Sequence, residues 1–80
     1  MLDELKGVRK VVGIKQLRRA LSAGNVAKAF LAEDADPRLT EPLAELCGSL
    51  GVPCESVPTM TELGKAAGID IRAAAAGILR

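Results

Sequence analysis

Short apolar runs alternate with helical patterns along this chain, and such alternation is typical of an α/β sandwich. Val11–Val12 ends a short strand, which Gly13 stops. From Ile14 onward the spacing of apolar residues becomes helical, with Leu17 and Leu21 on the same face as Ile14. The pattern therefore predicts a short strand followed directly by an amphipathic helix.

Turn and capping residues separate the remaining elements. Asp36 with Pro37 is a typical helix start, and Thr59 with Glu62 forms a capping box at the start of another helix. The predicted elements are, in order, a leading helix over Asp3–Arg9, the strand and helix described above with Gly24 after the helix, a strand over Ala27–Ala32, a helix from Pro37 to Gly51, a strand over Pro53–Val57, a helix from Thr59 to Gly68, a loop over Gly68–Arg72 and a strand over Ala73–Leu79. These elements fit a single domain over residues 1–80, close to the lower size limit for one core.

The chain carries no apolar stretch that approaches the ~18 residues of a membrane span, and no cleavable signal at its N-terminus. We therefore expect a cytoplasmic protein. Cys47 and Cys54 agree with that compartment, because they lie among Leu and Val and no histidine completes a metal site. We expect reduced, buried thiols rather than a disulfide or a redox pair.

Two missing residue types exclude several classes of function. The absence of histidine excludes catalytic triads and most catalytic metal sites, although carboxylate, lysine or cysteine chemistry stays open in principle. Phe30 is the only aromatic residue, so the base-stacking platforms of single-strand binders cannot be built. Any contact with nucleic acid must rest on charge, hydrogen bonds and aliphatic side chains. We predict a protein that is not an enzyme and that uses no cofactor or metal ion.

The net charge of +1 hides an asymmetry along the chain. Up to Lys28 there are seven basic residues against two acidic ones, a balance of +5, whereas the remainder has four basic against eight acidic residues, a balance of −4. Such a division suggests one face that meets an anion and another that does not. On charge alone, a solvated helix face explains the basic residues equally well.

The helix after Gly13 is the strongest candidate for an anion site. Its first turn exposes backbone N–H groups and the positive end of the helix dipole. Gly13 allows close approach, Lys15 and Gln16 lie in that turn, and Arg19 follows Lys15 on the same face. Lys and Arg can donate to guanine O6 and N7, and Gln can both donate and accept.

The loop Ile69-Asp70-Ile71 allows two interpretations. Loop isoleucines usually close the core from its edge, and that is the simpler explanation here. Two of them around an acid and beside a glycine can instead present an aliphatic surface to a flipped-out base.

Two further motifs have simpler explanations. The carboxylates of Glu33, Asp34 and Asp36 could bind a divalent cation, but before Pro37 they are more simply a capping loop. Gly64-Lys65 lacks the glycine and the Ser or Thr of a phosphate-binding loop, so we reject that function for it.

Three segments follow one another in a characteristic order and spacing. They are Gly13-Ile14-Lys15-Gln16-Leu17-Arg18-Arg19-Ala20-Leu21 with Gly24, Lys28-Ala29-Phe30-Leu31-Ala32-Glu33-Asp34-Ala35-Asp36-Pro37, and Leu63-Gly64-Lys65-Ala66-Ala67-Gly68-Ile69-Asp70-Ile71. Together they resemble the kink-turn-binding ribosomal protein superfamily, in particular its short bacterial members of the YbxF type. Many archaeal and eukaryotic members have Asn-Glu where this chain has Lys15-Gln16, whereas the short bacterial members tend to have Lys-Gln.

The resemblance implies a three-layer α/β/α sandwich around a small mixed four-stranded sheet. It also implies binding to the kink-turn, a sharply bent RNA duplex with sheared G·A pairs beside an unpaired bulge, rather than to DNA or a membrane. By this resemblance the segment Gly13–Arg19 enters the widened major groove, and the loop Ile69–Ile71 covers a base splayed from the bulge. The RNA-binding residues expected on this basis are Gly13, Ile14, Lys15, Gln16, Arg18, Arg19, Lys28, Ile69, Asp70 and Ile71.

Within that expectation the residues divide their roles. Lys15, Gln16 and Arg19 contact guanines, while Arg18, Arg19 and Lys28 neutralise phosphates. We expect a monomer, and association with the ribosome stays open. Two alternatives also stay open at the level of sequence: a protein-interaction or scaffold module of the same fold whose basic helix docks an acidic partner, and a small-ligand carrier, for which no cavity signature is apparent.

Overall fold

A computed structural model describes residues 5, 7–69 and 71–80 of the chain. Of the predicted leading helix over Asp3–Arg9, residues 3, 4 and 6 lie outside the described part of the chain. The prediction is wrong for Gly7, Val8 and Arg9, which are not helical, because Gly7 turns the chain with a φ of 68°. The elements in order are β1 (Lys10–Val12), α1 (Ile14–Ser22), β2 (Val26–Ala32), α2 (Pro37–Leu50), β3 (Cys54–Val57), α3 (Met60–Ala66) and β4 (Ala75–Leu79). No described helix has both the length and the apolar character needed to cross a lipid bilayer.

The four strands form one mixed sheet in the order β1-β4-β2-β3. Strand β4 runs antiparallel to both of its neighbours, whereas β2 and β3 are parallel. Helices α1 and α2 pack on one face of the sheet, and α3 packs on the other. The structure therefore confirms the α/β/α sandwich around a mixed four-stranded sheet.

Two apolar clusters hold the layers together, one on each face of the sheet. Leu17, Leu21, Leu43 and Cys47 bring α1 and α2 onto one face, where they meet the small side chains of β2 and β4. On the other face Phe30 is fully buried, and a second set of apolar residues surrounds it: Leu5, Ala32, Val57, Leu63, Ala73 and Ala76. Burial of a large apolar side chain contributes about 1.5–3 kcal/mol, so these clusters are the main source of stability.

Capping residues define the ends of α2 as predicted. The Asp36 carboxylate accepts a hydrogen bond from the Arg38 N–H at 2.9 Å, and Pro37 occupies the first turn. The helix ends at Gly51, whose φ of 70° lies in the left-handed region that glycine adopts easily. The apolar periodicity of α2 extends beyond its buried face, because Leu39 and Leu50 are exposed.

The last strand is shorter than the sequence predicts. It begins at Ala75 rather than Ala73. The Ala73 N–H donates to the Met60 carbonyl of α3 at 3.0 Å, so this residue bonds to the helix instead of to a neighbouring strand. The loop before β4 is therefore anchored to the start of α3.

Cys47 and Cys54 are free thiols in contact with each other. Cys47 is buried as expected, but the expectation was wrong for Cys54, which is exposed on the edge strand β3. Desolvation, together with the neighbouring Cys47 thiol, raises the pKa of Cys54 to about 11. Cys54 therefore stays protonated at neutral pH, and a protonated thiol is a poor nucleophile.

The directions of the strands bring all three helix N-termini to one end of the sheet. Strands β1, β2 and β3 run in the same direction because β4 is antiparallel to both β1 and β2, and β3 is parallel to β2. Helices α1, α2 and α3 follow the carboxyl ends of these three strands. The loop before β4 joins the sheet at the same end. We refer to this side of the molecule as the helix-start end.

Candidate nucleic-acid interface at the helix-start end

Helix α1 begins without a capping side chain. The Gly13 N–H donates to the Ala75 carbonyl of β4 at 2.8 Å, and the first helical bond joins the Leu17 N–H to the Gly13 carbonyl at 3.0 Å. Among the described residues, no side chain accepts a hydrogen bond from the first turn, and that turn contains no acidic residue. Its backbone N–H groups therefore remain available to an anion.

The backbone conformation at the start of α1 favours glycine. Gly13 has a φ of 113°, which other residues rarely adopt. The Gln16 side chain folds back over Gly13, so that its Oε1 lies where a β-carbon would be, although the end of this flexible side chain could move aside. The bare backbone of Gly13 and the Gln16 amide thus form one continuous polar surface at the helix start.

The basic side chains of α1 point away from the core. Leu17 and Leu21 are buried beneath the helix, whereas Lys15, Arg18 and Arg19 are exposed. None of these three cations forms an ion pair within the part of the chain that the structure describes. They are therefore free to meet an external anion.

Arg18 lies on the side of α1 that faces α2. Together with Ile14 it lines a groove between the two helices, where exposed Leu39 and Arg38 form the opposite wall. Lys15 and Arg19 lie one helical turn apart on the outer face. The basic surface of α1 is thus broad, extending from the outer face to the groove with α2.

The two isoleucines of the loop before β4 have different environments. Ile69 is partly buried and packs against the core on the α3 face, whereas Ile71 is 74% exposed. Ile69 therefore closes part of the core, as the simpler interpretation expects. The interpretation as an aliphatic contact surface stays a prediction for this loop, in which Ile71 is the exposed isoleucine. Asp70, which the sequence also placed in the site, lies outside the described residues.

Gly64 positions this loop, a role that sequence reasoning missed. A β-carbon at Gly64 would overlap the backbone carbonyl of Ile71. The Gly64 carbonyl also accepts a hydrogen bond from the Ile69 N–H at 3.0 Å. Only glycine lets the loop lie this close to α3. The sequence signal for this role of Gly64 was its position in the Leu-Gly-Lys segment. The sequence alone does not show that the glycine packs closely against the loop.

Lys28 does not join the residues of α1. Its side chain lies on the α3 face of the sheet, with Nζ 3.1 Å from Oε1 of Glu55 and 5.2 Å from the centre of the Phe30 ring. Helix α1 packs on the opposite face. The expected grouping of Lys28 with the basic helix is therefore corrected: the sheet separates them, and Lys28 is engaged by groups of its own face.

Two of the three carboxylates after β2, those of Asp34 and Asp36, act as caps, in agreement with the simpler interpretation. Asp36 caps α2 and pairs with the Arg38 guanidinium, which holds the pKa of its carboxyl below the ordinary value. Asp34 Oδ1 accepts a hydrogen bond from the Met60 N–H at 2.8 Å and so closes the start of α3, 26 residues away. The described residues contain no group of acidic or cysteine side chains that could hold a metal ion.

A cleft lies between α3 and the loop before β4. It has a volume of about 180 Å³ and is lined by Thr61, Lys65, Ile69, Ile71 and Arg72. Sequence reasoning did not assign Thr61, Lys65 or Arg72 to any site. The available signal was that basic residues flank the loop isoleucines on both sides in the sequence.

Comparison with known proteins gives a consistent result. The model of the ribosomal protein L7Ae/L30e/S12e/Gadd45 family matches residues 3–80. An RNA-binding protein of Geobacillus sp. (strain WCH70) is 41% identical over 76 residues, which are 95% of this chain and 93% of that protein. RNA-binding protein YbxF of Geobacillus stearothermophilus is 40% identical over the same shares. These names describe no enzyme, in agreement with the prediction from the sequence.

A solved structure shares the fold. The 15.5kD RNA binding protein of Giardia lamblia superposes with a TM-score of 0.85 and 22% sequence identity, over 99% of this chain and 65% of that one. At this level of identity the similarity concerns the architecture alone. It places the same three layers and the same sheet in both molecules.

Proposed function

Because this chain belongs to the ribosomal protein L7Ae/L30e/S12e/Gadd45 family, we propose that it is an RNA-binding protein that recognises and stabilises kink-turns in structured RNA. One observation carries the proposal: the uncapped start of α1, with its unpaired cations, lies at the same end of the sheet as the exposed Ile71. The relatives that are 40% or more identical over nearly the whole chain are named as RNA-binding proteins. We further propose that it acts as a cytoplasmic monomer.

In the proposed complex the start of α1 enters the widened groove at the sheared G·A pairs. The backbone at Gly13 and Ile14 approaches the RNA together with the Gln16 amide that folds over Gly13, because no capping side chain among the described residues closes the helix start. Lys15, Gln16 and Arg19 contact guanine edges, and a well-formed pair of such hydrogen bonds contributes about 1–3 kcal/mol of discrimination.

Arg18 and Arg19 add phosphate contacts, which carry no sequence information but make the affinity depend on salt. Ile69, Asp70 and Ile71 form the second part of the interface and cover a base splayed from the bulge. Lys28 has no part in this proposal, because it lies behind the sheet beside Glu55. Binding lowers the free energy of the bent RNA relative to the extended form, so the protein shifts the population toward the bend.

The experiment that tests this proposal is a titration against two RNAs. One is a kink-turn duplex, and the other is the same duplex with its G·A pairs replaced by Watson–Crick pairs. We expect tight binding to the first only, and a loss of about 100-fold for the variant Lys15→Ala with Gln16→Ala, since two base-contacting residues are removed. Equal affinity for the two RNAs contradicts kink-turn recognition while leaving general RNA binding intact.

The matched control is Arg9→Ala, which removes an exposed cation at the opposite end of the sheet. Its affinity for the kink-turn should match that of the wild type. If the control loses as much affinity as the α1 variant, the interface lies elsewhere. If neither RNA binds and an acidic protein partner does, the basic helix serves a protein-interaction module instead.

A further inference from the structure

Two thiols meet at the end of the sheet that lies opposite the helix-start end. Helix α2 reaches Cys47 in its last turn, and strand β3 begins at Cys54. The register of the sheet pairs Cys54 with Ala29, which belongs to the apolar cluster on the α1–α2 face, as Cys47 does. Because residues in register on neighbouring strands point to the same face, the Cys54 side chain points toward α2.

The turn between α2 and β3 holds the two cysteines together. The Val52 N–H donates to the Cys47 carbonyl at 2.9 Å, and Gly51 ends the helix with a φ of 70°. This pattern of a left-handed glycine and a bond back into the last turn reverses the direction of the chain. The reversal returns the chain to α2, and the Cys54 thiol comes into hydrogen-bonding contact with the Cys47 thiol.

The two thiols differ in their access to solvent. Cys47 is 1% exposed, whereas Cys54 is exposed on the edge strand. A reagent dissolved in water therefore meets Cys54 first, and the Cys47 sulfur lies directly behind it. An accessible thiol with a second thiol in contact is the arrangement that forms a disulfide after oxidation.

We propose that Cys47 and Cys54 form a site of reversible oxidation, at which a low-molecular-weight disulfide converts the two thiols into an intramolecular disulfide that joins α2 to β3. In the first step the Cys54 thiolate attacks one sulfur of the oxidant, a mixed disulfide forms on Cys54, and the leaving thiolate takes up a proton. In the second step Cys47, after losing its proton, attacks Sγ of Cys54 and releases a second thiol. The two cysteines thus lose two electrons and two protons, and the oxidant is reduced to two thiols.

The reduced pair is the resting form. Desolvation raises the pKa of both thiols, so little thiolate is present at neutral pH and the exchange is slow. Once formed, the disulfide closes a short loop and restricts the unfolded chain. It lies at the opposite end of the sheet from the start of α1, so oxidation changes the stability of the protein and leaves the proposed RNA interface in place. The inference does not depend on the RNA-binding function.

The test is incubation of the wild type with oxidised glutathione at about pH 9, where more of the thiol is ionised. We expect a monomer whose mass is lower by two hydrogen atoms and which contains no free thiol when it is unfolded. Its Tm should rise by about 10 °C, because the cross-link restricts the unfolded chain. Addition of dithiothreitol should restore the original mass and Tm.

The matched control is Cys54→Ser, which replaces the exposed thiol and should fold like the wild type. The same treatment should leave its mass and Tm unchanged, because Cys47 is inaccessible. The variant Cys47→Ala should instead stop at a glutathione adduct on Cys54. A wild type that also stops at this adduct, or that forms dimers through Cys54, overturns the proposal. An intramolecular disulfide that leaves Tm unchanged or lowers it overturns the stabilising link between α2 and β3.

Discussion

The three helices start at the same end of the sheet, but their first turns are completed in different ways. In α2 the Asp36 carboxylate caps the helix, and in α3 the Thr59 hydroxyl accepts from the Glu62 N–H while Asp34 accepts from the Met60 N–H. Helix α1 has neither a cap nor an acid, and Lys15 occupies its first turn.

The capped starts of α2 and α3 contribute to stability, whereas the uncapped start of α1 is suited to binding. A capping oxygen satisfies N–H groups that the helix cannot satisfy itself, and it contributes about 1 kcal/mol to stability. Helix α1 forgoes that contribution and keeps its N–H groups and its positive dipole available to an anion. The burial of Leu17 and Leu21 compensates for the missing capping contribution, because it holds α1 on the sheet.

The largest effect is expected from giving α1 an acid in its first turn, as α3 has. Lys15→Glu should weaken binding to a kink-turn RNA about 100-fold, because the substitution sets like charges against each other in the interface. The same change should raise the free energy of unfolding by about 0.5 kcal/mol, since an acid in the first turn interacts favourably with the helix dipole. Filter binding and urea unfolding followed by circular dichroism measure the two effects.

Arg9→Glu is the control for this substitution, because it makes the same change of charge at the opposite end of the sheet. It should change RNA affinity only about twofold, since screening weakens exposed charges beyond ~10 Å. A Lys15→Glu protein that unfolds more easily than the wild type would contradict the view that the start of α1 lacks a stabilising charge for the sake of binding.

A smaller effect, on stability and not on RNA affinity, is expected from removing the cap of α3. Thr59→Ala should lower the free energy of unfolding by about 1 kcal/mol, because the Glu62 N–H loses its acceptor. Affinity of the folded protein for the kink-turn RNA should stay at the wild-type value. Thr59→Ser, which keeps the hydroxyl, should have nearly wild-type stability. A loss of RNA affinity in Thr59→Ala at constant folded fraction would assign a capped helix start to the interface.

The smallest expected effect is on the pH dependence of stability, through the Asp36 cap of α2. The Arg38 guanidinium lowers the pKa of Asp36 below its ordinary value of 3.8, so the ionised carboxylate favours the folded state. This contribution is present above the unfolded-state pKa and is lost as pH falls through the folded-state pKa. Asn at this position keeps a capping oxygen but does not titrate. The stability advantage of the wild type over Asp36→Asn should therefore shrink on acidification below about pH 4.

Thermal unfolding of both proteins across this pH range provides the measurement. Because the Asp36–Arg38 pair is exposed to solvent, the difference should be small compared with the effect of Thr59→Ala. Parallel curves for the two proteins would show that the Asp36–Arg38 pair makes no net contribution to folding.

The sequence predicted this contrast among helix starts, because caps are local. Asp36 with Pro37 and Thr59 with Glu62 are capping signatures, and Gly13-Ile14-Lys15 is not one. Most element types followed from periodicity, whereas the three α/β/α layers were implied by the family resemblance. The start of β4 was placed two residues early, because the bond from Ala73 to Met60 depends on how α3 packs.

Features that depend on contacts between distant residues could not be predicted. The pairing of Lys28 with Glu55 joins residues 27 apart, and a register shift between Val26 and Lys28 interrupts the regular alternation of faces in β2. Asp34 was expected in a capping loop, but its partner, Met60, lies 26 residues away. The cleft with Lys65 and Arg72 exists only because the loop folds back along α3.

The close packing of Gly64 against the Ile71 carbonyl has a consequence for protein engineering. The path of the loop is imposed by the helix beside it, and the exposed side chains at 71 and 72 have little influence on that path. These two positions can therefore be randomised in a library while the backbone that presents them stays constant. Gly64 is the residue that such a library must leave unchanged, and new RNA preferences could then be selected on an unaltered scaffold.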